Sequence, residues 1–407
     1  MRFEQKTLDN GLVLIGEVNP AAKSAAVGFF TRTGSRDETP EVSGVSHFLE
    51  HMLFKGTEGL SALDVNEAFD RRGAQFNAFT SEEQTVFYAS VLPEFLLEIT
   101  DLWAQLMRPS LRDDDFDMEK NVIKEEISMY ADAPTFDVID RCRTLHYGSH
   151  PCGNSVLGTV ESIDAMTAQQ MREYFARRYA PNNMIVACAG DFDWDRFCAT
   201  VERRCASWER RQTDRTLSHF GGSMEAERLG KSNLKREHIC LIHEGVSAQD
   251  PRRFAASLLS LVVGDDLGSR FYWELVDKAL AEAASMQFNG MDGTGIFYSY
   301  LRCSTEGTVA VMETVDRIFR EVRSDGITDD ELTKAKNKVL SAMVIKNELP
   351  MGRLVDLGFN WMYLGDYRRI EEDVEAVKAV TVDEVSTLVE QLNPGRFTRY
   401  SLGPESL

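Results

Sequence analysis

Polar and apolar positions alternate from Gln5 to Val18 and break at Asp9-Asn10-Gly11, a turn signal that predicts a β-hairpin. Ala25 to Thr33 reads as a further strand. Helical spacing takes over from about Val42 to Phe54, and Lys55-Gly56-Thr57 stops it. Helical sequence returns at 62–72, and Gln75 to Leu92 is β-rich with a polar break at Ser81-Glu82-Glu83. Helices are expected at about 93–107, 113–131, 133–146 and 166–179, followed by a strand at 184–189 that ends on Gly190-Asp191.

Residues 206–228 are polar and irregular, which places a linker at 209–228 between halves 1–208 and 229–407. Beyond it the order repeats. A strand is expected at 238–244, a helix at 251–263, β-rich sequence at about 284–304, and helices at 308–322 and 328–347. The stretch Asp115-Phe116-Asp117-Met118-Glu119-Lys120-Asn121 resembles the run from Asp330 and Glu331 to Lys336-Asn337 when shifted by 216 positions. Under that shift Glu119 and Glu126 fall on Ala335 and Ala342. No His or Glu occurs in Phe254-Ala255-Ala256-Ser257-Leu258-Leu259, where the first helix would map. The fold class expected is α+β: two homologous halves, each a sheet layered with helices, with polar chemistry in the first half only.

Composition narrows the picture. A chain of 407 residues exceeds what one hydrophobic core usually holds, in keeping with two halves. Hydrophobic residues at 43% and charged residues at 27% fit a soluble globular protein. The formal net charge of -20 repels phosphate and excludes nucleic acid as a partner, while favouring solubility or attracting a basic substrate. Seven cysteines stand singly without a C-x-x-C pair, as expected of reduced thiols in a cytoplasmic protein. Met1 to Lys6 has neither a signal-peptide core nor a transit-peptide character. The longest apolar runs, such as Leu258 to Val263, are too short for a membrane span. Val262-Val263-Gly264-Asp265-Asp266-Leu267-Gly268 lacks phosphate-cradling spacing.

One stretch carries chemistry. In Gly44-Val45-Ser46-His47-Phe48-Leu49-Glu50-His51-Met52-Leu53-Phe54, the residues His47, Glu50 and His51 share one helical face. Phe48, Leu49, Met52 and Leu53 fill the rest of the circumference. Three ionisable groups on a buried helix are costly unless paired or metal-bound. Two imidazoles at i, i+4 suit tetrahedral zinc, which takes a third protein ligand in hydrolytic sites and leaves the fourth position to water. The helix at 113–131 offers that ligand. Spacing alone does not choose between Glu125 and Glu126, whose side chains point about 100° apart. The two-turn pairing of Glu119 with Glu126 favours Glu126 as ligand and Glu119 as the acid that orients a ligand. His146, His150, His219, His238 and His243 show no ligand spacing and are expected to be structural.

His47-Phe48-Leu49-Glu50-His51 is the H-x-x-E-H signature of inverzincins. With Met52-Leu53-Phe54-Lys55-Gly56-Thr57 it resembles the pitrilysin/insulinase family, most of all its short bacterial and mitochondrial-processing-type members. Gly73-Ala74-Gln75-Phe76-Asn77-Ala78-Phe79-Thr80 is similar to the family's substrate-edge strand. Glu119 and Glu126 fall where the family places its helper glutamate and third zinc ligand. The resemblance implies two homologous α+β halves forming one shell of a clam-like peptidase. It implies a zinc metalloendopeptidase with one Zn2+ on His47, His51 and Glu126, with Glu50 as the catalytic base and Glu119 as the helper glutamate that orients a ligand or the metal water. Phe76, Asn77 and Ala78 would hold an unstructured peptide by main-chain pairing inside an enclosed chamber. The competing expectation, a non-catalytic assembly subunit, goes with eroded motifs in this family, and here all five motif positions are intact. Active members also carry an arginine and a tyrosine seven residues apart in the second half. Val276 and Ala283 stand at the matching positions. Neither can donate a hydrogen bond from its side chain, so the expected state is a dimer with a homologous partner chain supplying the pair, a homodimer being the alternative.

Overall fold

The computed structural model describes residues 1–215, 217, 220–392 and 396–405. The first half runs β1 (Arg2–Thr7), β2 (Val13–Val18), β3 (Ala25–Thr31), α1 (Val45–Leu53), α2 (Ala62–Asp70), β4 (Gln75–Thr80), β5 (Thr85–Val91), α3 (Leu96–Leu106), α4 (Asp113–Ala131), α5 (Pro134–Tyr147), α6 (Val160–Ala165), α7 (Ala168–Arg178), β6 (Met184–Gly190) and α8 (Trp194–Cys205). The second runs β7 (Ala226–Gly230), β8 (Glu237–Glu244), α9 (Arg253–Gly264), β9 (Ala283–Met291), β10 (Thr294–Cys303), α10 (Thr308–Asp325), α11 (Asp329–Asn347), α12 (Pro350–Leu364), α13 (Ile370–Ala379), α14 (Val382–Ser386) and β11 (Thr398–Gly403).

The class is α+β, with two sheets that are each layered with helices. The first sheet has the strand order β1-β2-β6-β3-β5-β4 and the second β7-β11-β8-β10-β9. From β2 onward the first repeats in the second, strand for strand and direction for direction. The parallel pair β2/β6 corresponds to β7/β11, and antiparallel pairs follow in both. Helices α4 and α11 are both 19 residues long and lie 216 positions apart at either end. The duplication expected from a seven-residue likeness is therefore present in the topology.

Compact units do not follow chain order. One comprises Met1–Ile127, Asn154–Thr216 and Val344–Arg368; the other comprises Ser128–Gly153, Leu217–Met343 and Arg369–Leu407. Helix α12, from late in the chain, lies on β3 and β6 of the first sheet, and α5, from the first half, lies on β8 and β11 of the second. With helices on both faces, β3 and β6 are buried along their whole length, as their continuous apolar runs require. Gly358 lets α12 approach closely, since a Cβ there would stand 2.2 Å from the Phe30 ring. A bidentate ion pair from Arg353 to Glu17 (2.8 and 2.6 Å) holds the same helix to β2, and the Tyr367 hydroxyl donates to Glu17 at 2.7 Å.

Several elements carry no periodic signal. The exposed edge strand β7 reads Ala-Glu-Arg-Leu-Gly and begins at 226, within the last three residues of the stretch expected to be linker. The region expected as one helix from 166 to 179 begins instead at α7, where Thr167 and Gln170 form a reciprocal cap. All seven cysteines are buried and free. Among the described residues, no helix is long and apolar enough to cross a membrane.

In the second unit, His243 of β8 sits opposite Phe297 and between the rings of Phe319 and Phe397 (centroids 4.9 and 5.3 Å). It is fully buried, and neither ring nitrogen has a hydrogen-bond partner among the described residues. Burial, with a smaller push from His146, depresses its pKa to about 3. The folded chain therefore keeps this ring neutral while the unfolded chain protonates it near pH 6.5. Its contribution to stability is present above that pH and is lost as pH falls toward 3. His243→Leu should leave stability at pH 8 unchanged or raised, because an unpaired buried donor is removed. It should reduce the loss between pH 7 and pH 5 by about 2 kcal/mol, from roughly 1.4 kcal/mol per pH unit. Urea unfolding of both proteins at the two pH values measures this, and parallel pH dependences would contradict it.

Candidate metal centre

Helix α1 is seated before it can do chemistry. Its N-cap, Gly44, has φ +90, where a Cβ would also stand 2.6 Å from the Leu157 carbonyl oxygen. The Glu38 carboxyl accepts from the backbone N–H of Gly44 (2.7 Å) and Ser46 (2.8 Å) and so caps the helix N-terminus, while burial pushes its pKa up to about 8 against those two bonds. Phe48, Leu49, Met52 and Leu53 are essentially fully buried. The Phe48 ring stacks on Phe116 of α4 at 4.8 Å and 10°, which brings the two helices together at the level of their polar residues.

His47, His51 and Glu126 each offer one ligand atom, all within 4.8 Å of one another. His47 Nε2 lies 3.7 Å from one oxygen of Glu126, and His51 Nε2 lies 3.4 Å from the other. These spacings are long for hydrogen bonds. Two donors on one tetrahedral zinc, bound at about 2.0–2.1 Å, stand roughly 3.3–3.4 Å apart, so the residues present fit the metal. Glu125 is exposed and lies outside this group of three.

Electrostatics prepare the ligand atoms. Burial, then the neighbouring His51, depresses the His47 pKa to about 3, so its imidazole is neutral at physiological pH. The Glu119 carboxylate meets His51 Nδ1 at 2.8 Å and pairs through its other oxygen with Lys55. With Nδ1 so engaged, His51 presents Nε2 toward Glu126. Burial pulls the His51 pKa down, but Glu119, Glu126 and Glu50 outweigh it and the net shift is upward. Glu119 is pushed up by burial and held below its ordinary value by His51 and Lys55.

Glu50 stands on the same face of α1 outside the trio. Burial raises its pKa, against the opposing pull of Thr80 and His51. Thr80 Oγ1 donates to Glu50 Oε2 at 2.7 Å. The sequence pattern did not single out Thr80 or Lys55. Lys55 lies one turn beyond His51, and Thr80 shares a strand face with Phe76 and Ala78, so spacing could have nominated both.

Phe76, Asn77 and Ala78 lie in β4, the edge strand beside β5. Phe76 stacks on Phe69 at 4.0 Å, Asn77 is exposed and Ala78 is buried. The strand's unpaired edge offers main-chain groups more than side chains. His146, His150 and His238 bond to Thr398, to the Cys152 N–H and to Tyr300 respectively. His219 lies outside the described residues. Val276 packs against the core of the second unit, and Ala283 opens β9.

Comparisons with known proteins agree on one family. Residues 13–160, which include every residue of the candidate centre, match the family model described as insulinase (peptidase family M16). Residues 165–339 match the one described as the peptidase M16 inactive domain. A protein of Bacillus subtilis named uncharacterized zinc protease YmxG is 33% identical over 393 residues, covering 96% of this chain and 95% of its own. An uncharacterized zinc protease of Mycobacterium leprae is 34% identical over 409 residues, with 98% and 91% covered. The fold matches the crystal structure of a protease from Helicobacter pylori with a TM-score of 0.91 at 22% identity, covering 99% of this chain and 100% of the other. The chain belongs to the insulinase family, peptidase family M16.

Proposed function

We propose that this chain is a zinc metalloendopeptidase acting on unstructured peptides. The observation that carries the proposal is the convergence of His47, His51 and Glu126 with Glu50 alongside, next to an unpaired sheet edge. Zinc held by the three residues supplies a Lewis acid that lowers the pKa of water toward ~7 and polarises a peptide carbonyl. Glu50 takes the proton from the attacking water and returns it to the leaving amine. Burial raises its pKa, which makes its carboxylate a stronger base for the first transfer. Glu119 keeps His51 in the tautomer that leaves Nε2 free. The edge of β4 at Phe76, Asn77 and Ala78 takes an extended peptide as an added strand, which reads backbone and so selects unfolded segments.

The proposal extends to assembly. Val276 and Ala283 offer no side-chain donors for a substrate, so we place a second, homologous chain beside this one to supply an arginine and tyrosine pair and close the chamber.

Purified protein should bind about one zinc per chain, the stoichiometry of a three-ligand site. Glu50→Gln should retain the metal and lose peptide hydrolysis, and His51→Ala should lose both. Metal analysis and a fluorogenic unstructured peptide read these out. Near-wild-type turnover by Glu50→Gln would remove the base from the mechanism. Metal bound with no hydrolysis under any condition would favour a non-catalytic subunit.

Among the carboxylates, Glu126→Gln should weaken zinc retention by about 10–100-fold or more, and Glu125→Gln should leave it nearly unchanged. Glu119→Gln should lower turnover more than affinity. Zinc titration against a chelator measures all three, and the reverse order for 125 and 126 would move the ligand by one residue.

Addition of a homologous subunit encoded nearby should raise hydrolysis by about tenfold or more, on the scale of a lost transition-state contact. Full activity of the lone chain, unchanged by such a partner, would defeat the assembly proposal and leave the metal assignment standing.

A further inference from the structure

The turn between β4 and β5 is held by charges that the proposed chemistry does not use. Glu83, in that turn, is almost wholly buried and pairs with Arg36. The Tyr363 hydroxyl of α12 donates to its other oxygen at 2.8 Å and receives a bond from Gln84 Nε2 at 2.9 Å. Arg215 comes from the segment expected to be a linker. Its guanidinium donates to both oxygens of Asp37 (3.0 and 2.6 Å) and to the Glu83 carbonyl (2.7 Å). Its side chain is 7% exposed, against 3% for Asp37 and 1% for Glu83. Main-chain bonds from Ser35 to Ser81 and from Arg36 to Glu82 complete the clamp.

The residue immediately before this turn is Thr80, the hydrogen-bond donor to Glu50. We infer that Arg215 is a positioning residue for Glu50, acting through the turn at 81–84 and the Thr80 hydroxyl. The inference rests on Glu50 being the base. A buried four-residue turn carrying a carboxylate drifts toward water when a cation holding it is removed. A hydroxyl–carboxylate bond of 2.7 Å weakens steeply with misalignment, and a base displaced by about 1 Å can lose roughly a hundredfold in rate. Arg36 and Arg178 still neutralise Glu83 and Asp37 when Arg215 is absent, so the unit has the means to stay folded.

The test uses the full zinc-loaded chain and an unstructured fluorogenic peptide, with whatever partner gives it activity. Thr80→Val should lower kcat about 10–100-fold with KM within about threefold, and Thr80→Ser should recover most of it. Arg215→Ala should lower kcat about tenfold with zinc content unchanged. The combination of Thr80→Val with Arg215→Ala should be no worse than Thr80→Val alone, because both act through one contact. Multiplying losses would make Arg215 a general stabiliser and overturn the inference. Hydrogen–deuterium exchange supplies a readout independent of activity: Arg215→Ala should raise exchange at 79–86 and leave α1 unchanged. Unchanged exchange there would also overturn it. Should Arg215→Ala fail to fold, Tyr363→Phe removes a single hydroxyl from the same turn and should show the same non-additivity and exchange in smaller measure. A wild-type chain that cleaves nothing would sink the proposed function, and the exchange result would then decide the positioning inference alone.

Discussion

The stack of Phe48 on Phe116 sets the geometry on which the candidate centre depends. The two histidines belong to α1 and the glutamates to α4, so the separation of imidazole from carboxylate is a property of how those helices pack. An aromatic pair adds only about 0.5–1.5 kcal/mol beyond the area it buries. Its value here is registry. With the rings parallel at 4.8 Å, Glu126 arrives 3.4 and 3.7 Å from the two Nε2 atoms and Glu119 arrives on the far side of His51. The same burial that packs Phe48 and Leu49 strips water from His47 and keeps it neutral. Packing and ligand chemistry are one constraint seen from two sides of the helix.

The duplicated half shows what that constraint costs when chemistry is absent. The second sheet keeps strand order and direction, and α11 keeps the length of α4, yet Ala335 and Ala342 replace the two glutamates and α9 carries no histidine. At Ala335, which is buried, a carboxylate without its imidazole and ammonium partners would be an uncompensated buried charge, whereas Ala342 is exposed. Loss of the charged groups together is the form of the duplication that leaves no such remainder. The scaffold survives because it depends on apolar faces and close helix–sheet approach. Gly264 in α9, where a Cβ would meet Met286 at 2.3 Å, does for the second sheet what Gly358 does for the first.

How much of this was legible from sequence follows from which interactions are local. The helix of the candidate metal centre was readable because i, i+3, i+4 spacing is a property of nine consecutive residues, and the 216-residue repeat because α4 and α11 keep charged surface positions in step. Glu126 over Glu125 was favoured by the two-turn spacing from Glu119, which is again local. The exchange of α5 and α12 was not readable, since nothing in an amphipathic helix states which of two similar sheets it covers. Strand β7 has a polar composition because it is an exposed edge paired on one side only. Thr80 and Lys55 escaped for a related reason: spacing puts each on a face shared with a candidate site residue, but the partner it acts on is 30 or 64 residues away and spacing does not name it.

The charge balance of the centre gives the last step. Glu50, Glu119 and Glu126 bring three acidic side chains together, and the Lys55 ammonium pairs with Glu119, so acidic groups are in excess over ammonium at the centre. A divalent cation offsets that excess. His51 feels the same field, and the carboxylates raise its affinity for a proton even though burial opposes it. With zinc on the proposed ligands, proton and cation would compete for one nitrogen, and metal affinity would fall as pH drops through the range in which His51 protonates. His47, held neutral by burial, takes no part in that competition. In the proposed zinc site the two histidines of one motif would thus divide the work: burial holds His47 neutral, and the carboxylates around His51 would tie occupancy to pH.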